Sequence, residues 1–141
     1  MAIWFQQFSL DDLNARGENT LADFLEIKFT EIGDDFLIAT MPATQRVKQP
    51  IGIVHGGANV VLAETVASTA ANAVVDLTKF YCVGLEINAN HIRSVREGII
   101  TAKTYPIHLG RTTQIWQVDL FNDLGKQTCV SRMTASVLSR S

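Results

Sequence analysis

The sequence is poor in charge, in cysteine and in uninterrupted apolar runs. Lys and Arg together number 12 and Asp and Glu 14, so the formal net charge is only −2 over 141 residues. No basic run is present, so neither nucleic acid nor an anionic membrane surface is expected as the main partner. Asn59, Glu64 and Asn72 interrupt the longest apolar stretch, which argues against a membrane span.

Cysteine is scarce, and both cysteines lie in apolar alternating segments. We interpret Cys82 and Cys129 as reduced core residues of a protein in a reducing compartment. The N-terminus lacks a cationic segment followed by an apolar core, so we expect no signal peptide and a cytoplasmic location. Hydrophobic residues make up 47% of the chain, enough to fold residues 1–141 as a single domain.

Apolar and polar residues alternate through most of the chain, which is the period of two that predicts β-strands. Two strands, at residues 25–30 and 36–41, flank a turn that contains Gly33. Four more strands follow at residues 81–91, 99–105, 114–120 and 128–138, and Pro106 is expected to end the second of these. Ahead of all the strands, Ser9 is predicted to cap a short helix, and residues 21–24 a second one.

Residues 59–75 form an alanine-rich run long enough for about five helical turns. The run is apolar on nearly every side, and a helix of that kind is buried. The order β-β-α-β-β-β-β therefore predicts an α+β fold, in which one long central helix is wrapped by an antiparallel sheet of about six strands.

Glu64 is the only acidic residue of this helix. A carboxylate desolvated there would suit a general base or a nucleophile. Ser68 lies four residues further on and is therefore a neighbour on the helix surface. The alternative is a structural carboxylate that is satisfied by Ser68 and by backbone groups, and the sequence leaves both open.

His55, Gly56 and Gly57 precede the helix and suggest a second chemical feature. The first N–H groups of a helix lack intrahelical partners, so glycines there expose backbone donors to an anion or an oxyanion. The alternative is a loop that needs glycine for its backbone angles. His55 is expected to be neutral at this position and to act as a hydrogen-bond partner.

Gly56 and Glu64 are eight residues apart, which places them about 12 Å apart along a helix. Reacting groups need separations of about 3 Å, so one chain cannot easily use both on the same carbonyl. Two helices packed antiparallel about a two-fold axis would bring Gly56 of one copy toward Glu64 of the other. We therefore predict a homodimer with two equivalent sites at its interface.

His91 ends a strand in which odd-numbered residues from Tyr81 to Ala89 are expected to share its apolar face. A histidine in that setting is more often a core residue than part of a site. His55, His91 and His108 do not have the spacing of metal ligands, so we expect neither a metal nor another cofactor.

At these residues the chain resembles the hotdog-fold acyl-CoA thioesterases of the PaaI type. The likeness runs from about Trp4 to Leu138, nearly the whole chain. It is carried by Gln49-Pro50 with Gly52, His55-Gly56-Gly57-Ala58, Leu62-Ala63-Glu64-Thr65, residues 84–89 with His91, and His108-Leu109-Gly110-Arg111.

The resemblance implies a role for each residue of the reaction centre. Glu64 would be the catalytic carboxylate, either as nucleophile or as the base for water. The Gly56 N–H would polarise the thioester carbonyl, helped by Gln49 and His55 from the partner subunit. Ser68 would position the attacking water or support hydrolysis of an intermediate.

Substrate contacts are implied as well. His91 would line the acyl pocket, Gly57 would belong to the same glycine site as Gly56, and Arg111 and Arg93 would meet CoA phosphates. The family commonly pairs its dimers into homotetramers.

The leading hypothesis is hydrolysis of acyl-CoA thioesters with aromatic or medium-chain acyl groups. A thioesterase that acts on carrier-protein-bound acyl groups uses the same chemistry and stays open. A hydratase or dehydratase of the same fold and a non-catalytic acyl-CoA-binding module are two further hypotheses.

Overall fold

A computed structural model describes all residues from Met1 to Ser141. The helices are α1 (Leu10–Arg16), α2 (Leu21–Phe24) and α3 (Gly56–Ala73), with one 3₁₀ turn at Gln45–Val47. The strands are β1 (Lys28–Ile32), β2 (Leu37–Pro42), β3 (Phe80–His91), β4 (Ile99–Leu109), β5 (Thr113–Phe121) and β6 (Gln127–Ser139). The predicted order of elements and the α+β class are confirmed.

All six strands join one antiparallel sheet in the order β1-β2-β4-β5-β6-β3. Helix α3 lies against the inner face of this sheet and contacts strands β2 to β6. Its core-facing residues are all fully buried: Leu62, Ala63, Val66, Ala67, Ala70 and Ala71. Because four of these are alanines, the sheet can approach the helix backbone closely and curve around it. This is the hotdog arrangement, as the resemblance implies.

Strand β5 supplies the centre of the core, and its predicted alternation is confirmed. Trp116, Val118 and Leu120 have no exposed surface, while the residues between them are partly exposed. The buried indole N–H of Trp116 donates to Gln114 Oε1 at 2.8 Å. Gln114 Nε2 in turn donates to the Ala71 carbonyl at 3.4 Å, so this polar pair ties the sheet to α3 instead of burying unpaired groups.

The N-terminal segment covers one side of the core. Ser9 caps α1, with its hydroxyl accepting from the Asp12 N–H and the Asp12 carboxylate accepting from the Ser9 N–H. The side chain of Asn14 then bonds both backbone groups of Phe29 on β1. The predicted cap at Ser9 and the predicted helical turn at residues 21–24 are both confirmed.

The first strand begins later than predicted. Leu25 and Ile27 are buried, as their alternation suggests, but they precede β1 and close the end of α2. Glu26 between them has φ +60°, and the Ile27 N–H bonds the Ala22 carbonyl. The alternation here reflects a turn that presents apolar side chains inward, and not an extended strand.

A β-bulge in β3 overturns the prediction that its odd-numbered residues share one face. The register against β6 shifts between Gly84 and Glu86, so Leu85 is an extra residue. Cys82 faces the core before the bulge, and Ile87 packs against the core after it. Val83 and Leu85, which were expected with Ile87, are exposed instead.

Strand β4 passes through Pro106 and ends at Leu109, which corrects the predicted end. A second register shift lies between Pro106 and His108, where β4 pairs with β5. Because a bulge already interrupts the ladder there, the missing N–H of proline is tolerated.

Helix α3 starts at Gly56, three residues before its predicted start, because His55 caps it. Cys82 and Cys129 are buried free thiols, as expected. No helix has both the length and the hydropathy that are needed to cross a membrane.

Candidate active site

The N-terminus of α3 exposes one unpaired backbone donor. His55 is the N-cap, and its Nδ1 accepts from the Gly57 N–H at 2.8 Å, which places the ring proton of His55 on Nε2. The Gly57 N–H is therefore already bonded within the chain. The Gly56 N–H has no partner, because the helix supplies none at this position and no loop carbonyl accepts from it. Of the two glycines, Gly56 is the one that can donate to a ligand.

His91 lies directly on Gly56. A Cβ at Gly56 would be 2.8 Å from His91 Nε2, closer than Cβ atoms normally come to a neighbour, and 3.2 Å from its Cδ2, which is also a tight contact. Glycine at this position therefore lets the imidazole approach closely, and its φ is not one that favours glycine. His91 Nδ1 lies 3.4 Å from Asn59 Nδ2, on the next turn of the helix.

A pocket of about 350 Å³ opens beside these groups. Gly56, Asn59, His91 and Arg93 line it together with Gln49, and Ile53, Val54, Ile92, Ser94 and Val95 complete its wall. Gln49 Oε1 accepts from the Ile51 N–H at 2.8 Å, which leaves its amide NH₂ free to donate. The structure thus brings four of the predicted site residues, Gln49, Gly56, His91 and Arg93, into one pocket of one chain.

The resemblance implies that Gln49 and His55 of a partner subunit help Gly56, and this stays a prediction. Within one chain, Gln49 is already a neighbour of Gly56. It lies in the same pocket as Gly56 of its own chain, because a Lys48–Val54 bridge folds the loop back onto the start of α3.

Glu64 lies elsewhere, in a second pocket of about 330 Å³. The pocket is lined by Leu21, Val61, Glu64, Thr65 and Ser68. Glu64 is half-buried in the single chain, so α3 is not buried on nearly every side as the sequence predicted. Val61, Glu64, Thr65, Ser68 and Asn72 form a half-buried stripe along α3.

Gly84 on β3 makes room for the Glu64 carboxylate. A Cβ at Gly84 would overlap Glu64 Oε2, so the carboxylate rests against the strand backbone where any other residue would place a side chain. The Ser68 hydroxyl donates to Met133 Sδ at 3.4 Å and not to Glu64. Glu64 is thus positioned by the space beside Gly84, and its oxygens accept no hydrogen bond from Ser68. The alternative of a structural carboxylate satisfied by Ser68 is therefore wrong.

Two predicted substrate contacts fall outside both pockets. Arg111 lies on the exposed turn between β4 and β5, and Gly57 faces solvent beside the His55 ring. Asn59 and Gly84 contact site residues, although no site role was predicted for either of them from the sequence. For Asn59, a polar residue near the start of an apolar helix could have indicated a site. The contact between Gly84 and Glu64 could not be predicted in this way, because it depends on the bulge in β3.

Strand β3 leaves one side of the sheet open. It is 12 residues long and forms an edge of the sheet, and Val83 and Leu85 on it are exposed. A long edge strand with exposed apolar side chains is a surface on which another chain can pair. The half-buried stripe of α3 borders the same side, because Asn72 and Glu64 both contact β3.

Comparison with known proteins identifies similar chains. The sequence profile described as Thioesterase superfamily matches residues 51–129. The 1,4-dihydroxy-2-naphthoyl-CoA hydrolase of Escherichia coli K12 is 48% identical over 136 residues, which are 96% of this chain and 99% of that protein. The proofreading thioesterase EntH of Cronobacter turicensis is 40% identical over 137 residues, covering 96% of this chain and 98% of that protein.

A solved structure has the same architecture. The crystal structure of a mutant of thioesterase PA1618 from Pseudomonas aeruginosa superposes with a TM-score of 0.97 at 45% sequence identity. The superposition covers 99% of this chain and 100% of that one.

Proposed function

The chain belongs to the thioesterase superfamily and is a thioester hydrolase, and we propose that it hydrolyses acyl-CoA thioesters with aromatic or medium-chain acyl groups. The E. coli relative is named as a hydrolase of an aromatic acyl-CoA, and this name supports the proposed class of substrate. The observation that carries the proposal is the unpaired Gly56 N–H at the start of an 18-residue helix, in a pocket shared with His91 and Gln49.

The Gly56 N–H suits the charge that develops during thioester hydrolysis. As the carbonyl carbon is attacked, negative charge accumulates on the carbonyl oxygen. A free N–H at the positive end of the α3 dipole stabilises this charged oxygen more than it stabilises the neutral carbonyl oxygen of the thioester. The amide of Gln49 is a second donor in the same pocket, and His55 holds the first turn of the helix in place.

Glu64 is proposed as the catalytic carboxylate. Its free oxygens can attack the carbonyl carbon and expel the CoA thiolate, leaving an anhydride that water cleaves to the acid and free Glu64. Alternatively, Glu64 removes a proton from the water that attacks. Ser68, which lines the same pocket, can hold that water in either route.

Glu64 and Gly56 act together only if they come from different copies. Along α3 they are about 12 Å apart, and they open into separate pockets of one chain. Pairing of two copies along the free edge of β3 would bring the stripe of α3 against a second copy and create two equivalent sites. A further pairing into tetramers remains a prediction from the resemblance.

CoA itself is proposed to approach from the side of Arg93. This guanidinium lines the Gly56 pocket and has no carboxylate partner, so it is free to bind a phosphate. Arg111 can meet the same ligand only if the assembly brings its exposed turn to the pocket.

Free-thiol release from a panel of acyl-CoAs tests the function. The panel contains benzoyl, hydroxybenzoyl, naphthoyl-type and straight-chain thioesters, and wild type is compared with Glu64→Gln. We expect turnover with wild type and its loss by a factor of at least about 10² in the variant, with fold and oligomeric state unchanged. Ser68→Ala is expected to cost less than Glu64→Gln.

The outcomes separate the competing functions. Wild-type rates in Glu64→Gln would remove Glu64 from the mechanism. No turnover of any CoA thioester would refute the CoA substrate and transfer the same assay to carrier-protein thioesters.

A further inference from the structure

Asn59 is the buried polar residue of the Gly56 pocket that has no role in the proposed function. Only 6% of its surface is exposed, although it lies on a helix whose other core-facing residues are all apolar. Its Nδ2 approaches His91 Nδ1 at 3.4 Å, and its Oδ1 is buried without any partner. Most buried polar atoms are hydrogen-bonded, so the open Oδ1 is typical of a site that is completed by a ligand or water.

We propose that Asn59 is a positioning residue for His91. Its side-chain NH₂ donates to His91 Nδ1 and thereby holds the imidazole as the Nε2–H tautomer. The Nε2–H then stands beside the Gly56 N–H as a further donor to the thioester oxyanion. This inference rests on the proposed function, because it assigns a role within the same oxyanion pocket.

The position of the ring supports this assignment. The atoms closest to the Cβ position of Gly56 are His91 Nε2 at 2.8 Å, Cδ2 at 3.2 Å and Cε1 at 3.3 Å. The Nε2 edge of the imidazole therefore faces the first turn of α3, where the free Gly56 N–H is. The opposite nitrogen, Nδ1, faces Asn59.

The tautomer decides whether His91 helps or opposes the reaction. With Nδ1 as acceptor, the single proton of a neutral imidazole is on Nε2, the ring atom nearest to the Cβ position of Gly56. If Asn59 were turned so that Oδ1 met an Nδ1–H, the bare lone pair of Nε2 would face the developing negative charge. Only the first arrangement stabilises an oxyanion.

The wild-type protein allows a direct measurement of the tautomer. Long-range ¹H–¹⁵N correlation spectra of histidine-labelled protein distinguish Nε2–H from Nδ1–H, and His91→Ala identifies the His91 signals. We expect His91 to be predominantly the Nε2–H form. A predominantly Nδ1–H ring would overturn the proposal, whatever the activity.

Asn59→Leu tests the function of the contact, because leucine has a similar volume but cannot donate. We expect kcat to fall by about 10-fold or more with KM within about twofold, since the loss concerns a transition-state interaction. The His91 spectrum should lose its preference for Nε2–H. Introduced into His91→Ala, the same change should have no further effect on kcat, because the residue acts only through the imidazole.

Asn72→Leu is the matched control for the spectrum. It makes the same substitution near the other end of α3, where the side chain bonds Cys82 and not a histidine. It should lower the melting temperature and leave the His91 tautomer unchanged. An unchanged kcat in folded Asn59→Leu, or full additivity with His91→Ala, would refute the positioning role.

Failure of the proposed function is distinguishable from failure of this inference. If wild type hydrolyses no thioester, the function is refuted while the tautomer measurement still decides the Asn59–His91 contact. If wild type is active and Glu64→Gln is not, the proposed function holds, and the kcat values of Asn59→Leu alone and combined with His91→Ala then decide the role of Asn59.

Discussion

At the scale of single residues, two glycines of the candidate site leave space, because they have no Cβ, for a functional side chain. Gly56 admits the His91 ring and Gly84 admits the Glu64 carboxylate, and neither has a positive φ. The need for glycine at both positions is therefore a matter of close approach and not of backbone freedom. A methyl group at either position meets a functional side chain directly.

Gly84→Ala is expected to separate activity from stability. Alanine suits an extended strand at least as well as glycine, so the fold should be as stable as wild type or slightly more so. Its Cβ would displace the Glu64 carboxylate, and hydrolysis should fall by about 10-fold or more. Thermal melting and the thiol-release assay measure the two quantities on the same sample.

Gly17→Ala is the control for this prediction. Its added Cβ would be 3.5 Å from the nearest atom, the Asn14 carbonyl oxygen, which is ordinary contact. Both activity and stability should stay near wild type. Normal hydrolysis by Gly84→Ala would show that the position of Glu64 in this structure is not the one used in the reaction.

The buried thiol of Cys82 makes stability depend on pH above neutrality. Burial raises the pKa of this thiol from 9.0 to about 11. Between pH 9.0 and about 11, the unfolded chain releases the thiol proton while the folded chain retains it. The contribution of this thiol to the free energy of unfolding is therefore complete below pH 9.0 and is lost as the pH rises toward 11. Urea unfolding from pH 8 to pH 10.5 should show a steeper loss of unfolding free energy in wild type than in Cys82→Ala.

The two proteins are compared by the slope of unfolding free energy against pH, because the pH-independent destabilisation by Cys82→Ala does not change that slope. Cys129, whose thiol pKa burial also raises, is retained in both proteins and contributes equally to them. Identical slopes would mean that the Cys82 thiol is more accessible to water than its burial in the structure indicates.

At the scale of elements, α3 depends on different contacts at its two ends. Its N-terminus is held by the His55 cap and approached by His91, while its C-terminal half is joined to β3 by Asn72. The Asn72 carboxamide accepts from the Cys82 N–H at 2.8 Å and donates to the Cys82 carbonyl at 3.1 Å. A side chain thus takes the place of a neighbouring strand at this point of the sheet edge.

Asn72→Leu should therefore destabilise the junction of α3 and β3. The substitution leaves both backbone groups of Cys82 without these partners, at a cost of about 1–3 kcal/mol. Chemical unfolding measures the loss, and hydrogen exchange should show faster exchange of the Cys82 amide. Wild-type protection at Cys82 would contradict the predicted role of Asn72.

At the scale of the whole molecule, we propose that the two candidate pockets act on one substrate only when two copies of the chain pair. The free edge of β3 and the half-buried stripe of α3 lie on the same side of the chain. Pairing there would cover apolar residues such as Leu85 and bring Glu64 of one copy toward Gly56 of the other.

Mixed dimers of two inactive variants test this arrangement. Glu64→Gln removes the carboxylate, and Gly56→Val places a branched side chain on the His91 ring. If each site combines residues of two copies, a mixed dimer keeps one intact site of its two. Random reassembly of equal amounts should then restore about a quarter of wild-type activity.

The control is each variant unfolded and reassembled alone, which should remain inactive. A mixture that also stays inactive, with mixed dimers demonstrated by mass spectrometry, would place Glu64 and Gly56 of one chain in the same site.

The sequence alone determined the elements and their order, because periodicity and turn residues are local signals. The alternation of Trp116, Val118 and Leu120 predicted β5 and its buried face, and Ser9 predicted the start of α1. It also showed that Gly56 and Glu64 are eight residues apart, a separation of about 12 Å along a helix, at which one chain cannot easily use both on the same carbonyl. Each of these conclusions depends only on neighbours along the chain.

Only the tertiary structure decided which residues meet. The bulge at Leu85 reverses the faces of β3, and so it determines that Gly84 lies against Glu64 and that Ile87 turns to the core. The folded loop places Gln49 with Gly56 of its own chain, and β3 places His91 on Gly56 and Asn59. These contacts join residues far apart in sequence, and one inserted residue shifts the register of a whole strand, which no local pattern encodes.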